Sequence, residues 1–125
     1  MPTKITRDLP NSAFSAALLS ATVLSMTTAG ATLTVDANTT GTVVITAQDA
    51  GLTIALPTGS PVEGQKLMIR IKDDGTARSI AYNAIFRSVG ITLPTTTVVN
   101  KVLYLGCIFN SAETKWDVIA VAQEA

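Results

Sequence analysis

Asp73 and Asp74 are the only adjacent carboxylates in the chain, and such a pair can open a calcium loop or share acid–base work. A calcium loop starting at Asp73 needs a bidentate Glu at its twelfth position, where Ala84 stands. Glycosidase-type chemistry needs a second carboxylate facing the first across a pocket, and the sequence supplies no such partner. A tight turn through Asp73-Asp74-Gly75-Thr76 accounts for the pair more simply. Gly59, Gly64 and Lys66 suggest a phosphate loop, but the spacing is wrong and Leu67 replaces the hydroxyl residue that should follow the lysine. With no histidine anywhere, the commonest general base and metal ligand is missing, and Ser-His or Cys-His machinery is excluded. Cys107 is the only cysteine, so no disulfide forms within the chain; inside an apolar run it reads as a small buried hydrophobe.

Trp116, Tyr82 and Tyr104 are the side chains able to stack on a sugar. Only 5% of the chain is aromatic and each of the three falls inside a predicted strand, so packing is the expected role. Arg70, Arg78 and Arg87 either form a charge ladder with Asp73, Asp74 or Asp117, or line a solvated face. The inventory therefore yields no catalytic residue, no cofactor-binding residue and no metal ligand, and the expectation is a protein that is not an enzyme and carries no cofactor.

The elements that would hold these residues belong to one domain of 125 residues. Hydrophobic residues make up 47% and charged residues 14%, against roughly 25% charged in ordinary soluble domains. Such a chain hides apolar surface against partners or aggregates. Nine basic residues balance nine acidic ones, which leaves no basic stripe for nucleic acid and no charge block for an anionic membrane.

Residues 1–30 read as an N-terminal arm, extended or partly helical. Lys4 and Arg7 before the apolar stretch Ala13 to Leu24, with Ala29-Gly30-Ala31 after it, imitate a secretion signal. Asp8, Pro10, Ser15, Ser20 and Thr22 weaken that likeness, and a chain starting at Met1 is expected to keep the segment. The run is too short and too rich in hydroxyls to span a membrane. Between Ser12 and Thr28 the helical stripe is poor, and the second half is expected to be extended.

Residues 31–125 read as an all-β body, a β-sandwich or a jelly-roll-like fold. Strands are expected at Ala31 to Val35, at Thr42 to Ala47 with Val43, Ile45 and Ala47 on one face, and around Leu52, Ile54 and Leu56. Lys66 to Lys72 is the clearest, with Leu67, Ile69 and Ile71 facing the core. A hairpin at Asp73 to Thr76 is expected to lead into Ala77 to Tyr82. Lys101 to Phe109 is apolar on both faces, as in a central strand or one at a subunit interface. Asn110 to Thr114 turns the chain into the last strand, Lys115 to Val121. No internal repeat is evident.

The run Gly64-Gln65-Lys66-Leu67-Met68-Ile69-Arg70-Ile71-Lys72-Asp73-Asp74-Gly75-Thr76-Ala77-Arg78 resembles a β-module of tailed-bacteriophage virion proteins. So does the close of the chain: Lys101 to Gly106, Phe109-Asn110, then Lys115-Trp116-Asp117-Val118-Ile119-Ala120-Val121. The likeness covers the chain from about Leu52 onward; where relatives often carry Trp before Asn, this chain has Tyr82-Asn83. The resemblance implies a virion structural protein, commonly trimeric, found as capsid decoration, head fibre or tail-fibre component. A chain this short, beginning with an apolar arm, leads us to expect a decoration (cement) protein seated on the major capsid protein at the outer capsid surface. A tail or fibre component, a glycan-binding module and a secreted β-domain cleaved near Ala31 are the competing expectations.

Overall fold

The computed structural model describes residues 23–125, in which every regular element is a strand. The expected helix-or-strand segment at Ser12 to Thr28 is only partly covered: residues 1–22 lie outside the described residues. Val23–Met26, within that segment, is extended and forms β1. The others are β2 (Thr32–Leu33), β3 (Thr42–Gln48), β4 (Leu52–Ile54), β5 (Lys66–Asp73), β6 (Ile80–Tyr82), β7 (Phe86–Ser88), β8 (Leu103–Asn110) and β9 (Lys115–Gln123). The all-β class read from the sequence holds.

β5 shows why the residues choose this form. Leu67, Ile69, Ile71 and Asp73 are buried while Lys66 and Met68 are exposed, the period of two that only a pleated strand gives. β8 buries Leu103, Leu105, Cys107 and Phe109 in the same way. It lies between β5 and β9 in the sheet, and only its Leu103–Phe109 face meets the core, with Tyr104 exposed on the other.

The strands form two mixed or parallel sheets, one of six strands in the order β1-β3-β5-β8-β9-β7 and one of three in the order β2-β4-β6. From β1 to β6 the chain alternates between them, laying each new strand beside the one two earlier. β1, β3 and β5 are therefore parallel to one another, as are β2, β4 and β6. This is the winding of a β-solenoid rather than of a jelly roll, whose strands are antiparallel. Only β5–β8 and β8–β9 run antiparallel. Inward side chains of both sheets, among them Leu33, Ile54 and Ile80 from one and Ile69, Leu105 and Trp116 from the other, share a single core.

Three local expectations need correction. Asp73 to Thr76 is not a hairpin: β5 and β6 lie in different sheets, and the turn is a corner between them. The second half of β3 does not keep strict alternation, because a bulge between Ile45 and Gln48 inserts an extra residue. Gln48, not Ala47, is then fully buried. Its amide donates to the Gly30 carbonyl at 2.6 Å and the Ala50 carbonyl at 2.9 Å, and its oxygen accepts from the Ala29 amide at 3.0 Å. The glutamine thus ties together the corners that follow β1 and β3. Finally, Leu56 lies beyond the end of β4 and is exposed, so it does not continue the face of Leu52 and Ile54.

Candidate docking face

Residues singled out as chemically capable are mostly committed to structure. Asp73 is buried at the corner after β5, where its carboxylate accepts from the Thr97 hydroxyl (2.8 Å), the Asn100 amide (2.9 Å) and the Gly75 amide (3.1 Å). Burial pushes this carboxyl upward, but the three donors and nearby Arg78 outweigh it and hold the group below the usual carboxylate range. Asp74 faces outward and receives both oxygens' worth of contact from Arg78, at 2.9 and 2.8 Å. The pair therefore does not converge on one point. Among the described residues no three acidic, cysteine or histidine side chains are grouped to hold a metal.

Arg87 on β7 pairs with Asp117 on β9 at 2.8 and 3.1 Å and also bonds Glu113. That contact draws the Asp117 carboxyl down and raises the guanidinium. Part of the expected ladder thus exists, as two separate clusters at Asp74–Arg78 and Arg87–Asp117. Arg70 takes no part; it lies over the Tyr104 ring, 5.9 Å from its centroid. Gly59, Gly64 and Lys66 form no cradle: Gly59 and Gly64 take positive φ (90° and 79°) in the loop leading to β5, as turn glycines do.

Trp116 is in the core, its ring tilted against Phe109 at a centroid distance of 5.1 Å. Tyr82 is half-buried and its hydroxyl donates to the Pro94 carbonyl at 2.7 Å. Cys107 is buried, which pushes its thiol up to about 12, out of the range of a nucleophile. Among the described residues, only Tyr104, 38% exposed, presents an aromatic face to solvent on a sheet.

What remains unpartnered is the outer face of the six-stranded sheet. Across it, register places Val23, Thr42, Met68, Gly106 and Ala120 in one row, each opposite the next on β1, β3, β5, β8 and β9. A groove of about 330 Å³ follows this row, with Ile108, Ile119 and Met68 on its walls and Lys66 as its only charged residue. Gly106 forms the floor: a Cβ there would stand 3.3 Å from the Ala120 Cβ and 3.7 Å from the Met68 methyl. Val23 (62%), Ile119 (50%) and Met68 (38%) are large apolar side chains left open to solvent.

Ile119 reaches this face because a bulge interrupts the β8–β9 ladder between Gly106 and Cys107. Val118 then pairs with Cys107 on the core side, and Ala120 pairs with Gly106. Neither the groove nor Ile119 was singled out by the chemistry-led reading. The available signal was Gly106 itself, since a glycine inside an apolar strand marks a bulge or a close approach. Comparison of the chain with known protein families, with curated proteins and with solved structures found no match.

Proposed function

We propose that this chain is a non-enzymatic structural protein that acts in assembled form, as a tailed-phage capsid decoration protein. In this reading it binds the major capsid protein on the outer surface of the head as a trimer, and its two sheets are the layers of a β-sandwich. The observation that carries the assembly role is the outer face of the six-stranded sheet. Its centre is an apolar groove whose only charged lining residue is Lys66, and a surface of that kind is stabilised by protein cover rather than by water.

Two further features support the reading. Every carboxylate among the described residues already accepts a hydrogen bond that ties a turn, an ion pair or a strand end, as Glu63 does from Ser111 and Glu124 from Val102. The runs that resemble phage virion modules also meet in space: Gly64 to Arg78 contains β5, and the closing run contains β8 and β9, three neighbouring strands. A trimer seated on three capsid subunits would multiply modest contacts through effective concentration. Binding only the assembled lattice, it would stabilise that lattice.

Ala125 is exposed beyond the end of β9, so a tag placed there leaves the sheets undisturbed. Labelling of that tag on purified virions is expected to decorate the head in a regular array of three-copy clusters. Label confined to the tail would instead make the chain a tail or fibre component. Virions without label would remove the virion reading altogether.

A further inference from the structure

Asp74-Gly75 is the only Asp-Gly bond in the chain, which has no Asn-Gly bond. In such a bond no side chain shields the glycine nitrogen, so it can attack the aspartate side chain and close a five-membered imide. We propose that Asp74-Gly75 is an isomerisation site of this protein, kept silent in the native fold by the hold of Arg78 on Asp74. The inference is independent of the assembly reading above.

The corner between β5 and β6 cannot dispense with its glycine. Gly75 takes φ 103°, a conformation that other residues rarely adopt. Space is not the constraint, since a Cβ there would meet nothing closer than the Asn100 Oδ1 at 3.8 Å. The liability is therefore built into the turn, and protection has to come from the groups around it.

Two contacts supply that protection. The Arg78 Nη2 donates to the two Asp74 oxygens at 2.9 and 2.8 Å, and its Nε to Oδ1 at 3.3 Å. A carboxylate held in this way stays ionised and is a poor electrophile. Its Cγ also cannot swing onto the Gly75 nitrogen without giving up the guanidinium. The Gly75 N–H in turn donates to the Asp73 Oδ1 at 3.1 Å, which fixes the plane of the peptide. Asp73 is buried and anchored by Thr97 and Asn100, whereas Asp74 is exposed and Arg78 half-buried. Arg78 is thus the hold that can be released.

Once it is released, the protonated Asp74 side chain accepts the Gly75 nitrogen at Cγ. An N–C bond forms, and the carboxyl hydroxyl leaves with the amide proton as water. Water then re-enters the imide at either carbonyl. Opening at Cγ restores Asp74; opening at the main-chain carbonyl routes the backbone through Cβ and leaves an isoaspartyl residue of unchanged mass. The added backbone carbon lengthens a corner tied on both sides, by the Asp74 N–H to the Gln48 carbonyl and by the Gly75 N–H to Asp73.

The test incubates the full chain and its Arg78→Gln variant for weeks at neutral pH. Isoaspartate at position 74 is read by peptide mapping with electron-transfer fragmentation, which separates the isomers despite their equal mass. Arg78→Gln should accumulate it about fivefold faster, the worth of a partly exposed two-point ion pair. Adding Asp74→Glu, whose longer side chain would have to close a six-membered ring, should abolish the signal. In denaturant the native chain and Arg78→Gln should isomerise at one rate, because the hold exists only in the fold. Arg78 also keeps the Asp74 carboxyl below its ordinary range, so the fastest isomerisation should fall at lower pH in the native chain than in Arg78→Gln. Equal rates in the folded native chain and folded Arg78→Gln overturn the proposal, as does a native chain that isomerises as fast folded as denatured. Should circular dichroism show Arg78→Gln unfolded, Arg78→Lys, which keeps the charge but not the two-point contact, carries the same comparison.

Discussion

Asp73 does its work as an acceptor, not as an acid. One buried carboxylate holds three donors, two of them from the loop at Thr97 and Asn100, and so fixes that loop to the corner after β5. Asp73→Ala would strand those donors and is expected to cost about 3 kcal/mol in denaturant unfolding at pH 7. Asp73→Asn keeps the shape and one acceptor oxygen, and should cost about 1 kcal/mol. The pH dependence separates the two effects. The folded value of this group is depressed, so its contribution is present above the unfolded value, about 3.9, and is lost as pH falls toward the folded one. The gap between the native chain and Asp73→Asn should therefore narrow below about pH 4 and be constant above pH 5. Sequence alone gave the pair Asp73-Asp74 a turn, which is correct as to place. It could not show the buried state of one partner, because two of its three donors, Thr97 and Asn100, sit more than twenty residues away.

Among the elements, the faces of β5 and β8 were legible because period-two alternation is written directly in Leu67, Ile69 and Ile71 and in Leu103, Leu105, Cys107 and Phe109. Pairing was not legible. Parallel neighbours are joined through corners that carry no hairpin signature, and the spacing of the windings is uneven: 19 residues separate Val23 from its partner Thr42, and 26 separate Thr42 from Met68. No repeat survives such irregularity in the sequence. Bulges hid the rest, since each one reverses which residues face the core from that point on. The β8–β9 turn offers a direct test. Thr114 takes φ 54°, a left-handed conformation that a β-branched residue adopts at a cost. Thr114→Gly is expected to raise stability by about 0.5 kcal/mol, measured as a shift of the denaturation midpoint at unchanged slope.

At the scale of the whole molecule, a chain of zero formal charge presents an apolar groove with a single lysine on its rim. Association through this face should depend on burial and hardly at all on charge. Light scattering is expected to give the same assembled mass at low salt and at about 1 M sodium chloride, where the screening length is roughly 3 Å. Sulfate should favour the assembled form, because it strengthens apolar burial. Dissociation by sodium chloride would instead point to contacts through Arg78, Arg87 and their carboxylates. The sequence foretold a protein short of charge; which face carries the apolar excess depended on the strand order, and so on the winding.

That winding also governs how the chain can reach its native state. Of the nine strands among the described residues, only β8 and β9 are hydrogen-bonded to the strand next to them in sequence. Every other pair is closed across an intervening strand, so each requires a long loop to be ordered before any ladder bond repays it. The β8–β9 hairpin is the one local nucleus, and β5 and then β3 can add to it only by recruiting distant segments. Refolding should accordingly be slow for a domain of this size. While it proceeds, β1, β3 and β4 wait as open apolar edges, and crowded refolding conditions will divert the protein into aggregates.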